Sequence, residues 1–293
     1  MSTRTSARAQ RPRRRSWLLS AFSYRLPFVF ASLLALGPLA CSESPPEEEA
    51  PPAAAAPQDS GGPGHRAAGQ ASNQQLFGEL IREQGRDLTP ADELAAMQNF
   101  LRVWSKHKPV FKSRFLGVRT FQNPLDAWVV QEVIVEVAPD LLIEAGTANG
   151  GSALLWAMIL REVNPAGRVI TIDIEDAREE RARSHPLARE RIDFLHGSST
   201  DPAIVEEVRR RAEGKRVLVL LDSLHTKEHI AAELAAYAPL VAVGSYVIVQ
   251  DTPFGGTEAI AEYLAAHPEF EIDSSRERFV LTSSLGGYLE RVK

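Results

Sequence analysis

Leu141-Leu142-Ile143-Glu144-Ala145-Gly146-Thr147-Ala148-Asn149-Gly150-Gly151-Ser152 begins as an apolar run and ends in glycines. Helix-forming residues, Ala153 to Leu160, follow directly. That order describes a buried parallel strand, a tight turn and a helix N-terminus. Gly146, Gly150 and Gly151 let the backbone turn and approach a ligand where a side chain would intrude. About 20 residues further on, Val169-Ile170-Thr171-Ile172-Asp173 reads as a second strand ending in a carboxylate, where a nucleotide ribose is held.

Outward from this stretch the pattern alternates. Strands are expected at 141–146, 168–174, 191–196, 216–222 and 245–251, with helices at 151–163, 178–189, 202–212, 226–238 and 257–266. Alternation at this spacing implies a parallel sheet with helices on both faces. Two further strands, Phe270-Glu271-Ile272-Asp273 and Phe279-Val280-Leu281-Thr282, form a hairpin-like pair at the end. Upstream, Gln75 to Trp104 has helical periodicity, with Thr89-Pro90 as a break and start signal. Phe115-Leu116-Gly117-Val118 and Asn123-Pro124 are turn-rich, and Asp126 to Val137 reads as a helix leading into the first strand.

The chain has 293 residues, 44% of them hydrophobic, enough for one sizeable domain with extensions. Its net charge of -5, with no basic block in the body, argues against a nucleic-acid partner. The single cysteine, Cys41, excludes an intrachain disulfide and any cysteine-based metal cluster.

Residues 4 to 15 carry six arginines and no acid, and an apolar segment from Trp17 to Ala40, broken by Arg25, runs up to Cys41. A basic start followed by an apolar core reads as an export signal or anchor over 1–41. Arg14-Arg15-Ser16-Trp17-Leu18 resembles a twin-arginine signal, and Cys41 resembles a lipoprotein attachment site, although Pro38 replaces the usual branched apolar residue. Residues 42–74, rich in Pro, Ala, Glu and Gly, form a linker that cannot bury a core. The folded domain is expected over 75–293, as a helical extension (75–139) and a core (140–293). The N-terminal segment then attaches the protein to a membrane, with the domain exported; the alternative is a domain on the cytoplasmic side.

Several pieces now combine. Asn123-Pro124-Leu125-Asp126, Ile143-Glu144-Ala145-Gly146-Thr147, Gly150-Gly151-Ser152-Ala153 and Leu221-Asp222-Ser223 occur in order. Thr226-Lys227-Glu228-His229, Tyr237-Ala238-Pro239-Leu240-Val241, Gly244-Ser245-Tyr246, Asp251-Thr252 and Gly286-Gly287-Tyr288-Leu289 follow. From about residue 110 onward the chain resembles the cephalosporin hydroxylase / rhamnosyl O-methyltransferase family of S-adenosylmethionine-dependent enzymes. The resemblance implies an α/β, Rossmann-like class I methyltransferase fold: a mostly parallel seven-stranded sheet with an antiparallel last strand.

It also implies that Glu144, Gly146, Gly150 and Ser152 line the S-adenosylmethionine pocket, with Asp173 on the ribose hydroxyls. A carboxylate at a strand's C-terminal edge suits that task, although capping a helix is its alternative role. Asp222, Gln250 and Asp251 are implied as Mg²⁺ ligands and His225 as the catalytic base. Gln250 departs from the family's usual Glu, keeping an oxygen and losing a charge. Leu224 and Ser198 also replace residues that are often acidic in the family.

The reading is therefore a methyltransferase acting on a hydroxyl of a sugar, glycolipid or natural-product-like molecule, Mg²⁺-assisted if the altered site still binds metal. The competing reading is an exported, catalytically inactive binding protein with the same fold. A nicotinamide dehydrogenase fits less well, because Gly-Thr-Ala-Asn-Gly-Gly is not the G-x-G-x-x-G turn. The residues carry no signature of oligomeric state; the resemblance implies a tendency to form homo-oligomers.

Overall fold

Leu141–Ala145 is a strand buried along its whole length. The computed structural model describes residues 89–279 and 281–293. The expected signal (1–41), the linker (42–74) and the start of the helical extension lie outside the described residues. Among the described residues, no helix is long and apolar enough to cross a membrane.

A helix, α1 (Pro90–His107), starts where Thr89-Pro90 predicts. Thr89 and Asp92 cap it reciprocally, satisfying backbone donors that the first turn leaves open. A short hairpin follows, β1 (Arg114–Phe115) and β2 (Val118–Arg119), whose turn residues Leu116 and Gly117 have φ of 51° and 82°. Then come α2 (Pro124–Val137), β3 (Leu141–Ala145), α3 (Gly151–Val163) and β4 (Arg168–Asp173). The chain continues through α4 (Glu180–Ser184), α5 (Pro186–Arg191), β5 (Ile192–His196), α6 (Pro202–Ala212) and β6 (Val217–Leu221). It ends with α7 (Lys227–Tyr237), β7 (Tyr246–Val249), α8 (Gly256–Ala266), β8 (Phe270–Ile272) and β9 (Tyr288–Arg291).

Seven strands make one sheet in the order β5-β4-β3-β6-β7-β9-β8. The first five run parallel, and β9 is antiparallel to both β7 and β8. The expected fold class holds. Successive residues of β3 and β6 enter opposite cores. Leu141, Ile143, Val217 and Val219 pack with α6, α7 and α8; Leu142, Leu218 and Leu220 pack with α2 and α3. A strand buried on both faces needs a continuous apolar run, which is why no polar alternation marks it in the sequence.

Two expectations are corrected. The helix expected at 178–189 is broken into α4 and α5, because Pro186 lacks the amide that would continue the ladder. The last strand is not Phe279–Thr282 but Tyr288–Arg291. Tyr288 and Leu289 are fully buried, whereas Phe279 is 38% exposed. Asp126 at the start of α2 instead binds the side chains of Thr282 and Ser283 and the Ser283 amide, holding that stretch as a loop.

Candidate active site

Strand register brings the site together. Ala145 pairs with Ile172 on one side and Leu221 on the other, and Leu221 pairs with Val249. Gly146, Asp173, Asp222 and Gln250 therefore leave the sheet level with one another, at the carboxyl edge where such folds bind ligands.

The glycine loop is held by two devices. Asp173 Oδ2 accepts the backbone amides of Thr147 and Ala148 at 2.9 and 2.8 Å. Beneath it runs a buried polar chain: Thr147 Oγ1 to Thr171 Oγ1 at 2.6 Å, then Thr171 Oγ1 to Glu144 Oε2 at 2.6 Å. The Trp156 indole donates to the other Glu144 oxygen at 2.9 Å. Burial pushes the Glu144 carboxyl up to about 7, against the hydrogen bonds that favour its charged form. Gly146 sits at φ 96°, and a Cβ there would lie 2.0 Å from the Asp222 carbonyl oxygen. No other residue lets β3 and β6 close at this point.

A cavity of about 680 Å³ opens over this edge. Gly146, Ser152, Asp173, Asp222, His225 and Asp251, all singled out from the sequence, line it. Three of the expected residues do not. Glu144 is 1% exposed and turned into the core, so it supports the loop from behind. Gly150 borders a separate cleft of about 160 Å³ and serves as the left-handed cap of α3, φ 85°. Gln250 is buried and paired with Gln122: Gln250 Nε2 donates to Gln122 Oε1 at 2.8 Å, and Gln122 Nε2 donates to Gln250 Oε1 at 3.0 Å.

In the same cavity His225 Nε2 lies 3.4 Å from Asp251 Oδ2 and 3.9 Å from Asp222 Oδ1. Burial raises the Asp222 carboxyl well above its ordinary value, and the neighbouring Asp251 charge adds to this. Asp251 is itself raised by burial, opposed by His225. One ligand atom from each of Asp222, His225 and Asp251 falls within a 4.8 Å cluster. Two carboxylates this close favour a positive charge between them, so this trio fits a divalent ion in charge. Gln250 is not part of the trio.

The sequence reading missed Gln122, Ser199 and the role of Thr147. Gln122 Nε2 also donates to Asp222 Oδ2 at 2.8 Å. Its position directly before Asn123-Pro124 was the available signal, but nothing local says that this segment crosses to the sheet edge.

The protein-family model described as Rhamnosyl O-methyltransferase/CmcI matches residues 107–292. The chain belongs to this family. A rhamnosyl O-methyltransferase of Mycobacterium tuberculosis is 34% identical over 206 residues, which cover 64% of this chain and 80% of that protein. One from Mycobacterium leprae is 32% identical over 193 residues, covering 60% and 82%. Among solved structures, a CmcI described with Mg and SAM superposes with a TM-score of 0.50 at 19% identity, over 62% of this chain and 78% of that one. That likeness bears on the fold alone. As a member of the rhamnosyl O-methyltransferase/CmcI family, the chain is a methyltransferase in class as well as in fold.

Proposed function

We propose that this protein transfers a methyl group from S-adenosylmethionine to a hydroxyl of a sugar-bearing acceptor, such as a glycolipid or a glycosylated natural product. One observation carries the reading. One cavity is lined both by the Asp173-braced glycine loop and by His225 flanked by Asp222 and Asp251.

Asp173 keeps one Oδ1 lone pair for a ribose hydroxyl beyond those spent on the Thr147, Ala148 and Glu175 amides, and the α3 N-terminus suits a carboxylate. When bound, S-adenosylmethionine supplies the electrophilic sulfonium methyl. His225 takes the hydroxyl proton, and the carboxylates of Asp251 and Asp222 stabilise the imidazolium that results. Where a divalent ion binds, Asp222 and Asp251 would hold it, and its Lewis acidity would lower the acceptor's pKa. Phe111, Phe121 and Leu224 wall the outer part of the cavity, with the two phenyl rings 5.5 Å apart. Such a wall receives the apolar face of a sugar ring or its lipid. The acceptor is thus expected to be amphiphilic.

The mycobacterial relatives named as rhamnosyl O-methyltransferases support a deoxysugar hydroxyl as the first acceptor to try. Incubation with methyl-labelled S-adenosylmethionine and rhamnosides, with and without a lipid aglycone, is the test. Failure to label any hydroxyl while S-adenosylhomocysteine still binds would point to another acceptor class. Failure to bind S-adenosylhomocysteine would end the proposal. We also propose that residues 1–41 attach the protein to a membrane and that 42–74 act as spacer, on the basic-then-apolar pattern ending at Cys41.

A further inference from the structure

A buried polar cluster beside the cavity takes no part in the chemistry above. Glu233, on α7, is 1% exposed, and its Oε1 accepts from Ser199 Oγ at 2.5 Å and from Ser223 Oγ at 2.6 Å. His229, one turn earlier on the same helix, places Nε2 3.3 Å from that oxygen and 3.1 Å from Ser199 Oγ. Tyr237, also on α7, donates to the Ser199 carbonyl at 2.5 Å. Ser199 follows β5 and Ser223 follows β6, so one carboxylate ties together loops from two non-adjacent strands.

The cluster settles the imidazole's tautomer. The Ser199 hydroxyl proton is spent on Glu233, so His229 Nε2 can meet its two oxygen neighbours only as a donor. In the neutral ring Nδ1 is then an acceptor. His229 lines the cavity, and among the described residues its Nδ1 meets no hydrogen-bond partner and is not sealed from solvent. It is open to a ligand.

Position along the cavity says which part of the ligand it meets. Asp173 marks the ribose at the end of β4. On one side of β4 lies β3, with the glycine loop and the α3 N-terminus, which suits the amino-acid end. On the other side lies β5, followed by the loop that carries Ser198 and Ser199. Ile174, 69% exposed, offers an apolar face next to Asp173 for a flat ring. The base, attached to the ribose opposite the amino-acid arm, falls on this second side, beside His229.

Resting on the cofactor reading above, we infer that His229 reads the nucleoside base, its Nδ1 accepting from the exocyclic amine of adenine. Glu233 is the positioning residue that fixes the ring and its tautomer. A hypoxanthine base would present a carbonyl there and set two acceptors against each other.

The test is calorimetric binding of S-adenosylhomocysteine and S-inosylhomocysteine to the intact protein at pH 8.5 and again at pH 9.5, because the hydrogen bond to Glu233 raises the His229 imidazole above its usual range and the ring must be neutral to accept. Wild type should prefer the adenosyl ligand by roughly tenfold or more, the scale of one hydrogen bond. His229→Phe keeps a ring without the nitrogen; it should lose that preference mainly by weakening the adenosyl ligand. His229→Asn, with a shorter reach, should lose it too and serves if the phenylalanine disturbs folding. Glu233→Gln, which frees the tautomer, should shrink the preference while both ligands still bind. A preference kept in the His229 variants, or equal weakening of both ligands, would overturn the inference. Equal binding of both ligands by wild type would overturn it alone, whereas binding of neither would overturn the cofactor reading with it.

Discussion

The Gln122 side-chain amide donates to the Asp222 carboxylate across 2.8 Å. The same nitrogen lies 3.0 Å from Gln250 Oε1, so one NH₂ group spends both protons between two residues that the sequence suggested as metal ligands. Gln250 stays neutral and turned towards Gln122 because each amide gives the other a donor and an acceptor. Gln250→Glu would set a carboxylate oxygen against Gln122 Oε1 and break that reciprocity. The freed carboxylate would then join Asp222 and Asp251. Mg²⁺ titrated into this variant should bind roughly tenfold tighter than to wild type, and to Asp222→Asn more weakly. Equal affinity in wild type and Gln250→Glu would show that residue 250 never faces the ion.

Asp173 braces the Thr147 and Ala148 amides, and the proposed function gives the same carboxylate a ribose hydroxyl as well. Asp173→Ala should cost on the order of 1.5–3 kcal/mol of S-adenosylhomocysteine binding, and should also lower the melting temperature. Calorimetry and thermal unfolding on the same sample separate the two losses. Full-strength binding in the variant would remove Asp173 from the ligand site.

Glu144 makes stability depend on pH. Its carboxyl is raised in the folded state from 4.5 to about 7, so between those values the native protein holds more protons than the unfolded chain. Stability is greatest below the unfolded value and falls as pH rises through about 7, by about 3 kcal/mol from this group. Glu144→Gln should flatten that fall. Urea unfolding at pH 5 and pH 8 is the measurement, and an unchanged pH slope in the variant would contradict it.

In the proposed function His225 acts on the proton and not on the nucleoside. His225→Ala should lower kcat by about 10²–10⁴ while S-adenosylhomocysteine affinity stays within about twofold. A matching loss of ligand affinity would assign the residue to binding.

Membrane attachment divides on Cys41. If the cysteine is lipidated, Cys41→Ser should block processing and change the protein's fractionation; if Trp17–Ala40 is an uncleaved anchor, the substitution should change nothing. Wild type found wholly in the soluble cytosolic fraction would contradict both.

The parallel core was legible because it is local. The strands β3, β6 and β7 are largely apolar runs, α1, α2, α5 and α6 each start with a cap and a proline, and Thr89 and Asp173 sit where short-range rules put them. The last strand was misplaced for a non-local reason. Phe279–Thr282 has a strand's composition, but Asp126, more than 150 residues earlier, claims Thr282 and Ser283. Pairing with β7 then fell to Tyr288–Arg291.

The sequence by itself determined the α/β class and which strand ends carry Gly146, Asp173, Asp222 and Asp251, because apolar periodicity and glycine placement are properties of consecutive residues; the family was legible only through the resemblance of its ordered motifs to known members. Only the tertiary structure decided where side chains point. It turned Glu144 into the core towards Trp156, turned Gln250 towards Gln122, and gathered Ser199, Ser223 and His229 on Glu233. Those choices depend on which distant group satisfies each buried donor or acceptor, and that pairing is settled when the layers pack.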